Sequence, residues 1–300
     1  MPDPTLIYRG RFAPSPSGPL HLGSLIAALA SYLDARHHAG IWLVRIDDLD
    51  PPREQAGAAQ EILQSLENHG LQWDEDIMWQ SQRAPAYEEA LAKLANQHRT
   101  FQCDCSRHQL NSAGSCQAGC QSRQGQIATP SATRIIVMPS GTMAFDDQLQ
   151  GPQGMQRDEA LENFVVKRKD GLYAYQLAVV VDDASQRINH IVRGSDLMDS
   201  TGRQIYLQQT LGLDTLSYCH LPVITNRDGQ KFSKQNHAPA IVNRQAVQNL
   251  RLALAFLRQS QPPAELKDTR SLLNFAIARW SPTALPGVMD IPASAIGLSG

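Results

Sequence analysis

A stiff turn sets the first constraint on this chain. Residues 11–24 read RFAPSPSGPLHLGS and run straight into the apolar, Ala-rich LIAALASYLDARHH. Pro14, Pro16 and Pro19 lock their own φ angles, and Gly18 permits a backbone angle that other residues avoid. Residues 22 to 38 have the composition and length of a helix, so the turn opens onto a helix N-terminus. Such an end presents unpaired N–H groups and the positive pole of a dipole, which suits phosphate. Gly23 would let a ligand approach the first helical turn closely, and His21 adds a side-chain donor. The chain has no G-x-x-x-x-G-K-[ST], so this is not the usual phosphate loop. The same residues also describe a plain rigid turn with His21 as its polar cap, and taken alone they fit both readings.

The surrounding pattern is strand followed by helix. YRGRFAP reads as a short strand, and IWLVRIDDLD as a buried strand whose end carries carboxylates. Asp50-Pro51-Pro52 then starts a helix over roughly 53 to 69, and another fits APAYEEALAKLANQ. Alternation of this kind argues for an α/β fold with a parallel sheet. From about residue 100 to 131 Cys, Gly, Ser and Gln dominate, followed by the strand-like TRIIVM and NFVVKRKDGLYAY, with a hairpin turn at Lys169-Asp170-Gly171. This reads as an insertion. The α/β texture resumes with LAVVVDDA, INHIVRG, a helix over about 199 to 211, and HLPVITN. Residues 243 to 258 and 271 to 280 read as helical, and the Pro/Ala/Gly-rich end after 281 as irregular or frayed. The division expected is 1–100 and 173–240 as two halves of a catalytic core, 101–172 as the inserted subdomain and 241–300 as a short helical C-terminal region.

The 300 residues suffice for one large or two modest domains with a real core. Net charge is −2, so any nucleic-acid surface must be local rather than a field of the whole protein. No apolar run is long enough for a membrane span, and the N-terminus lacks the basic start and apolar core of a secretion signal. No membrane partner and a cytoplasmic location are therefore expected. Four of the five cysteines fall in CDCSRHQLNSAGSCQAGC, as Cys103-x-Cys105 and Cys116-x₃-Cys120. In a chain without an export signal this favours metal over disulfides. Four thiolates would close a tetrahedral, structural Zn²⁺ site, with His108 as a possible substitute for one of them. Cys219 stands alone in a strand-like segment and reads as a small buried hydrophobe.

A second loop gives the opening turn a chemical meaning. QKFSKQN, after the strand LPVIT, offers Lys231, Ser233 and Lys234. Two lysines facing a helix N-terminus can hold a polyphosphate and neutralise charge as pyrophosphate leaves. The pair HLGS and KFSKQ resembles the two signatures of class I aminoacyl-tRNA synthetases. RFAPSPSGPLHLGS, RIDDLDPPRE, AYQLAVVVDDA, IVRGSDL and LPVITNRDGQKFSKQ together resemble the glutamyl branch, in order, across most of residues 9 to 240. The chain after Gln235 is too short for the large helical domains that follow this motif in full glutamyl enzymes. In length it is therefore similar to the truncated bacterial members of that family.

The resemblance implies a Rossmann-like catalytic core with an inserted zinc-bearing α+β subdomain that contacts an acceptor stem. It implies a monomer that activates L-glutamate with ATP, and with Mg²⁺, then passes the glutamyl group to tRNA. For the truncated members the acceptor is the queuosine base at the wobble position of tRNA(Asp). His21, Gly23, Ser24, Lys231, Ser233 and Lys234 would then hold ATP, with His21 and the helix N-terminus facing the phosphates, and Lys234, supported by Lys231, stabilising the leaving pyrophosphate; His21, Lys231 and Lys234 are the catalytic set. Arg11, Phe12, Ala13, Pro14, Ser15, Asp47, Tyr175 and Arg193 would form the glutamate pocket, with Arg193 as a second cation and Asp47 as the acid for the ammonium. Asp47 stands where related enzymes often have Glu, so that contact could pass through water or fall to Asp48. By the same resemblance the cysteine cluster is the zinc site of the insertion. Lys167, Arg168 and Lys169 form a short basic run that reads more readily as a solvated turn than as an RNA contact. The competing readings are charging of a tRNA 3′ end, a non-catalytic RNA-binding paralogue, and an adenylyl transferase acting on a small metabolite.

Overall fold

In the computed structural model the described residues are 7–112, 114–116, 118–138, 142–156, 161–226, 229–231 and 239–297. Strand β1 (Arg9–Phe12) lies parallel to β2 (Ile41–Ile46), and β2 to the short β3 (Met78–Trp79). Helix α1 (Leu22–His37) makes the crossover between β1 and β2. The second half begins with β9 (His190–Gly194), parallel to β10 (Ser217–Leu221). Asn189 joins the halves: its backbone N–H donates to Arg9 O at 3.1 Å and its side chain accepts the Arg9 N–H at 2.7 Å. The two strand sets thus meet through β1 and β9.

Alternation along β2 decides what each face carries. Trp42, Val44 and Ile46 point into one apolar cluster, with α1 and the C-terminal helices α6 (Ala246–Phe256) and α7 (Thr269–Ala278). Leu43 points into the other, with α3 (Ala84–Asn96), α4 (Tyr175–Ser185) and α5 (Met198–Leu211). Helices on both faces of a parallel sheet give the doubly covered architecture expected. Helix α1 is packed between sheet and C-terminal helices, which is why its apolar residues do not keep to one stripe.

Two local expectations need correction. The helix placed at 53 to 69 is split: Pro51–Arg53 form a single 3₁₀ turn, Glu54 is extended, and α2 (Ala58–Asn68) starts only after Gly57 at φ +81°. The chain is pulled out of helix there because Gln55 N–H donates to Pro16 O at 3.0 Å. The β-branched run Val179–Val181, whose element the sequence leaves open, lies inside α4, since tertiary burial outweighs the propensity. The segment after 281 is docked, not frayed. β12 (Asp290–Pro292) runs parallel to β11 (Val223–Thr225), and Leu285, Ile291 and Ala293 are buried.

Within 101–172, β4 (Thr100–Cys103), β5 (Ala132–Ile135) and β8 (Val165–Lys167) form an antiparallel sheet. The turn at Lys169-Asp170-Gly171 is tight, with Gly171 at φ +88° and Arg168 N–H donating to Leu172 O at 2.8 Å. The hairpin β6 (Thr142–Asp147) and β7 (Gly151–Gln156) instead extends the core sheet, because β6 pairs in parallel with β10 at Asp147 and Tyr218. No described helix is long and apolar enough to cross a membrane.

The turn from α1 into β2 leaves no room at Gly40, where an added Cβ would sit 2.5 Å from Tyr8 O. Gly40→Ala is expected to lower unfolding free energy by about 1–3 kcal/mol in urea denaturation. Gly212→Ala, at φ +67° in open space, should cost about 1 kcal/mol through backbone strain alone. Equal costs would show that the Tyr8 contact relaxes freely.

Candidate active site

The C-terminal ends of β1, β2 and β9 open onto one cleft of about 680 Å³. In open parallel sheets this is where the strand ends leave room for ligands. The turn after β1 is clamped by main-chain bonds: Asp47 N–H donates to Pro14 O at 3.0 Å, and Gln55 N–H to Pro16 O. Gly18 takes φ +133°, the angle its place in the turn requires. The chain then enters α1 with His21 as N-cap, its Nδ1 accepting the Ser24 N–H at 3.2 Å. Capping therefore fixes the imidazole at the helix mouth, and the structural and ligand-facing readings of His21 coexist. Gly23 is small for a packing reason as well: an added Cβ would lie 3.1 Å from the His21 ring and 3.2 Å from Ile224.

Arg11, Phe12, Ala13, Pro14, Ser15, His21, Gly23, Ser24, Asp47, Tyr175, Arg193 and Lys231 all line this cleft. Ser233 and Lys234 lie outside the described residues. Tyr175 is 37% exposed at the first turn of α4, a wall position rather than a core one. Lys231 reaches across to Asp196, Nζ to Oδ2 at 2.5 Å. Asp48 is turned away, its oxygens accepting the Ser81 N–H and hydroxyl at 2.8 and 2.6 Å, so of these two neighbours it is Asp47 that lines the cleft.

Beneath the cleft lies a buried charge cluster that the sequence reading missed. Asp183 accepts from Arg11 Nε at 3.1 Å and Nη2 at 3.2 Å, and from Arg45 Nη1 at 2.6 Å. Arg45 Nε donates to Asp47 Oδ1 at 2.7 Å. Burial would raise the Asp183 pKa, but the charges of Arg11 and Arg45 outweigh it and hold the carboxyl below its ordinary value. Asp47 goes the other way: burial pushes it up to about 6 against the pull of Arg45 and Arg11. An arriving cation would offset the cost of burying that carboxylate and lower its pKa. The signal for the cluster was present in VVVDDA, since two acids in an apolar run need buried partners.

Away from the cleft, Cys103, Cys105, Cys116 and Cys120 bring their Sγ atoms within 4.8 Å of one another. A tetrahedral Zn²⁺ with bonds of about 2.3 Å spaces its sulfurs about 3.8 Å apart, so four thiolates so placed fit the ion. The Cys105–Cys116 and Cys105–Cys120 separations are 3.4 and 3.5 Å. Burial would raise Cys116, but the Cys120 N–H and the neighbouring thiols bring it down to about 7. His108 is not part of the cluster among the described residues. Arg123 pairs with Asp104 at 2.8 Å and touches Cys120 Sγ, bracing the loop. Cys219 is buried in the core with Val192 and Leu221. The basic run is largely neutralised: Lys167 pairs with Glu88, and Arg168 with Asp50 and Asp170.

Comparison with known proteins follows the same lines. The family model described as tRNA synthetases class I (E and Q), catalytic domain, matches residues 8–128 and 121–260. A glutamyl-Q tRNA(Asp) synthetase of Citrobacter koseri is 49% identical over 93% of this chain and 94% of its own. One of Photobacterium profundum is 46% identical over 95% and 92%. A crystal structure of a glutamate tRNA ligase from Elizabethkingia meningosepticum, in complex with its amino acid, superposes with a TM-score of 0.79 at 21% identity, over 97% of this chain and 68% of that one, and so shares its fold.

Asp183→Asn removes the charge shared by two buried arginines and should cost about 3–5 kcal/mol at neutral pH. Because the folded pKa lies below 3.8, the stabilisation is complete above that pH and is lost as pH falls through the folded value. Denaturation free energies of the two proteins should therefore differ by a constant amount at mildly acidic to neutral pH and converge below pH 3.8. A gap that stays constant into strong acid would mean the charge does not carry the effect.

Proposed function

The chain belongs to the class I tRNA synthetase family for glutamate and glutamine, a family of ligase-type enzymes, and from that premise we propose that it activates L-glutamate with ATP and transfers the glutamyl group to the queuosine base of tRNA(Asp). The observation that carries this reading is the single cleft in which the His21 helix mouth and Lys231 stand beside Arg11, Asp47, Tyr175 and Arg193. Its parts suit the two halves of adenylate formation. The α1 N-terminus and His21 favour the phosphates on one side, and Lys231 with Lys234 favours the departing pyrophosphate on the other. Asp47 suits the amino-acid ammonium, and Arg193, whose Nη1 has no protein partner, suits a carboxylate. The step needs alignment and charge stabilisation more than a covalent nucleophile. The glutamate carboxylate attacks the α-phosphorus, the bond to the β-phosphate oxygen breaks, and pyrophosphate leaves. A hydroxyl on the RNA then displaces AMP from the adenylate.

The queuosine acceptor is supported by the names of relatives that match nearly end to end. Zn²⁺ at the four cysteines is supported by their number, closeness and burial. It would supply a structural cross-link in the insertion and no chemistry at the cleft, because a closed set of four thiolates leaves no open position.

Two experiments test these readings. Pyrophosphate exchange into ATP should depend on glutamate and proceed without tRNA, and Lys234→Ala should lower its rate about 10²–10³-fold while melting unchanged. Labelled glutamate should then pass to tRNA(Asp) only when queuosine is present. Equal labelling of queuosine-free tRNA would shift the reading to the 3′ end, and no exchange with any amino acid would remove it. Elemental analysis of protein prepared without chelator should give about one zinc per chain, lost in Cys105→Ser; a metal-free wild type would refute the site.

A further inference from the structure

Arg193 ends β9 and lines the cleft, yet it is only 5% exposed. Two of its three guanidinium nitrogens are engaged by protein. Nε donates to His220 Nε2 at 3.0 Å, and Nη2 donates to Thr201 Oγ1 at 2.8 Å. The third, Nη1, is buried and has no hydrogen-bond partner. A buried guanidinium N–H without an acceptor is costly, so this atom marks a place where lone pairs are missing. Since Arg193 lines the cleft, a molecule bound there can supply the missing acceptor.

The direction in which Nη1 faces is set from behind. His220 on β10 is fully buried, and its Nδ1 lies 2.6 Å from Asp147 Oδ2. Asp147, at the end of β6, also accepts the backbone N–H groups of Leu149, Gln150 and His220. With the carboxylate so fixed, the imidazole proton belongs on Nδ1, and Nε2 is left as the acceptor that Arg193 Nε requires. A protonated His220 would have no lone pair to offer. Burial favours the neutral form, lowering the His220 pKa despite the pull of Asp147. An apolar side chain could fill the space beside Tyr218 and Phe145. It would be cheaper to bury than a chain of charged and polar groups. It could not accept from Nε, and the guanidinium would be free to turn.

We propose that His220, oriented by Asp147, is a positioning residue that fixes the rotation of Arg193 so that Nη1 meets a carboxylate oxygen of the bound amino acid. This rests on the reading of Arg193 as an amino-acid contact, and the test separates the two. Pyrophosphate exchange is measured on the full chain against glutamate and against ATP. Arg193→Ala should raise the glutamate KM about 100-fold, and His220→Leu about tenfold or more, with the ATP KM unchanged in both. His220→Gln, whose Oε1 can accept from Nε, should recover most of the loss. If Arg193→Ala leaves the glutamate KM unchanged, the reading of Arg193 fails and the proposal falls with it. If Arg193→Ala raises it and His220→Leu does not, or if His220→Leu raises both KM values alike, the positioning role alone is wrong. Should His220→Leu not fold, Asp147→Asn decides instead, since the amide oxygen stays with the Leu149 and Gln150 N–H groups, the NH₂ faces His220 Nδ1, and the imidazole proton moves to Nε2, where it can no longer accept from Arg193. A few-fold rise in glutamate KM alone supports the proposal, and no rise overturns it.

Discussion

The buried carboxylate of Asp183 is the constraint on which the cleft depends. It neutralises Arg11 from β1 and Arg45 from β2, and it reaches them from α4, on the far side of a sheet edge. Without it two guanidinium groups would face each other in a space from which water is excluded. With it, the C-terminal ends of two neighbouring strands and one helix are held in a fixed relation, and Arg45 in turn fixes Asp47. The cleft floor is thus an alternation of charges whose sum is small but whose parts are few ångströms apart. Such an arrangement stores little net stability, because desolvation offsets most of the attraction. What it supplies is geometry.

A second property follows from where the unpaired groups sit. Arg193 keeps an unpartnered Nη1, and Asp47 keeps a carboxyl raised to about 6. Both are costs in the empty protein that a zwitterionic ligand can relieve, one with an oxygen and the other with an ammonium. The fold leaves such groups unsatisfied in a frame too tightly bonded to satisfy them by collapse.

Two parts of the chain act on the cleft from a distance. The β6–β7 hairpin, within the stretch that reads as an insertion, joins the core sheet and carries Asp147 to His220. The C-terminal strand β12 lies along β11, and Met289 O accepts from Val223 N–H and the Ser195 hydroxyl beside the cleft. Neither relation follows local pattern, because each joins segments far apart in the sequence.

Legible in the residues alone were the strand–turn–helix unit at 9–37, the parallel α/β class, the four-cysteine cluster and many of the residues that line the cleft. These are written locally: in proline and glycine at a turn, in periodicity, and in close thiol spacing. Only the tertiary structure decided which charges neutralise each other. VVVDDA shows two acids but not that Asp183 serves Arg11 and Arg45 while Asp182 serves Arg83, Gln80 and Tyr87. It also decided that Val179–Val181 would be helical, that residues after 281 would dock, and that His220 would stand behind Arg193. The reason is the same throughout. Propensity and motif act over a few residues, whereas the pairing of buried charges and the burial of an apolar face are settled by whichever distant segment the sheet brings alongside.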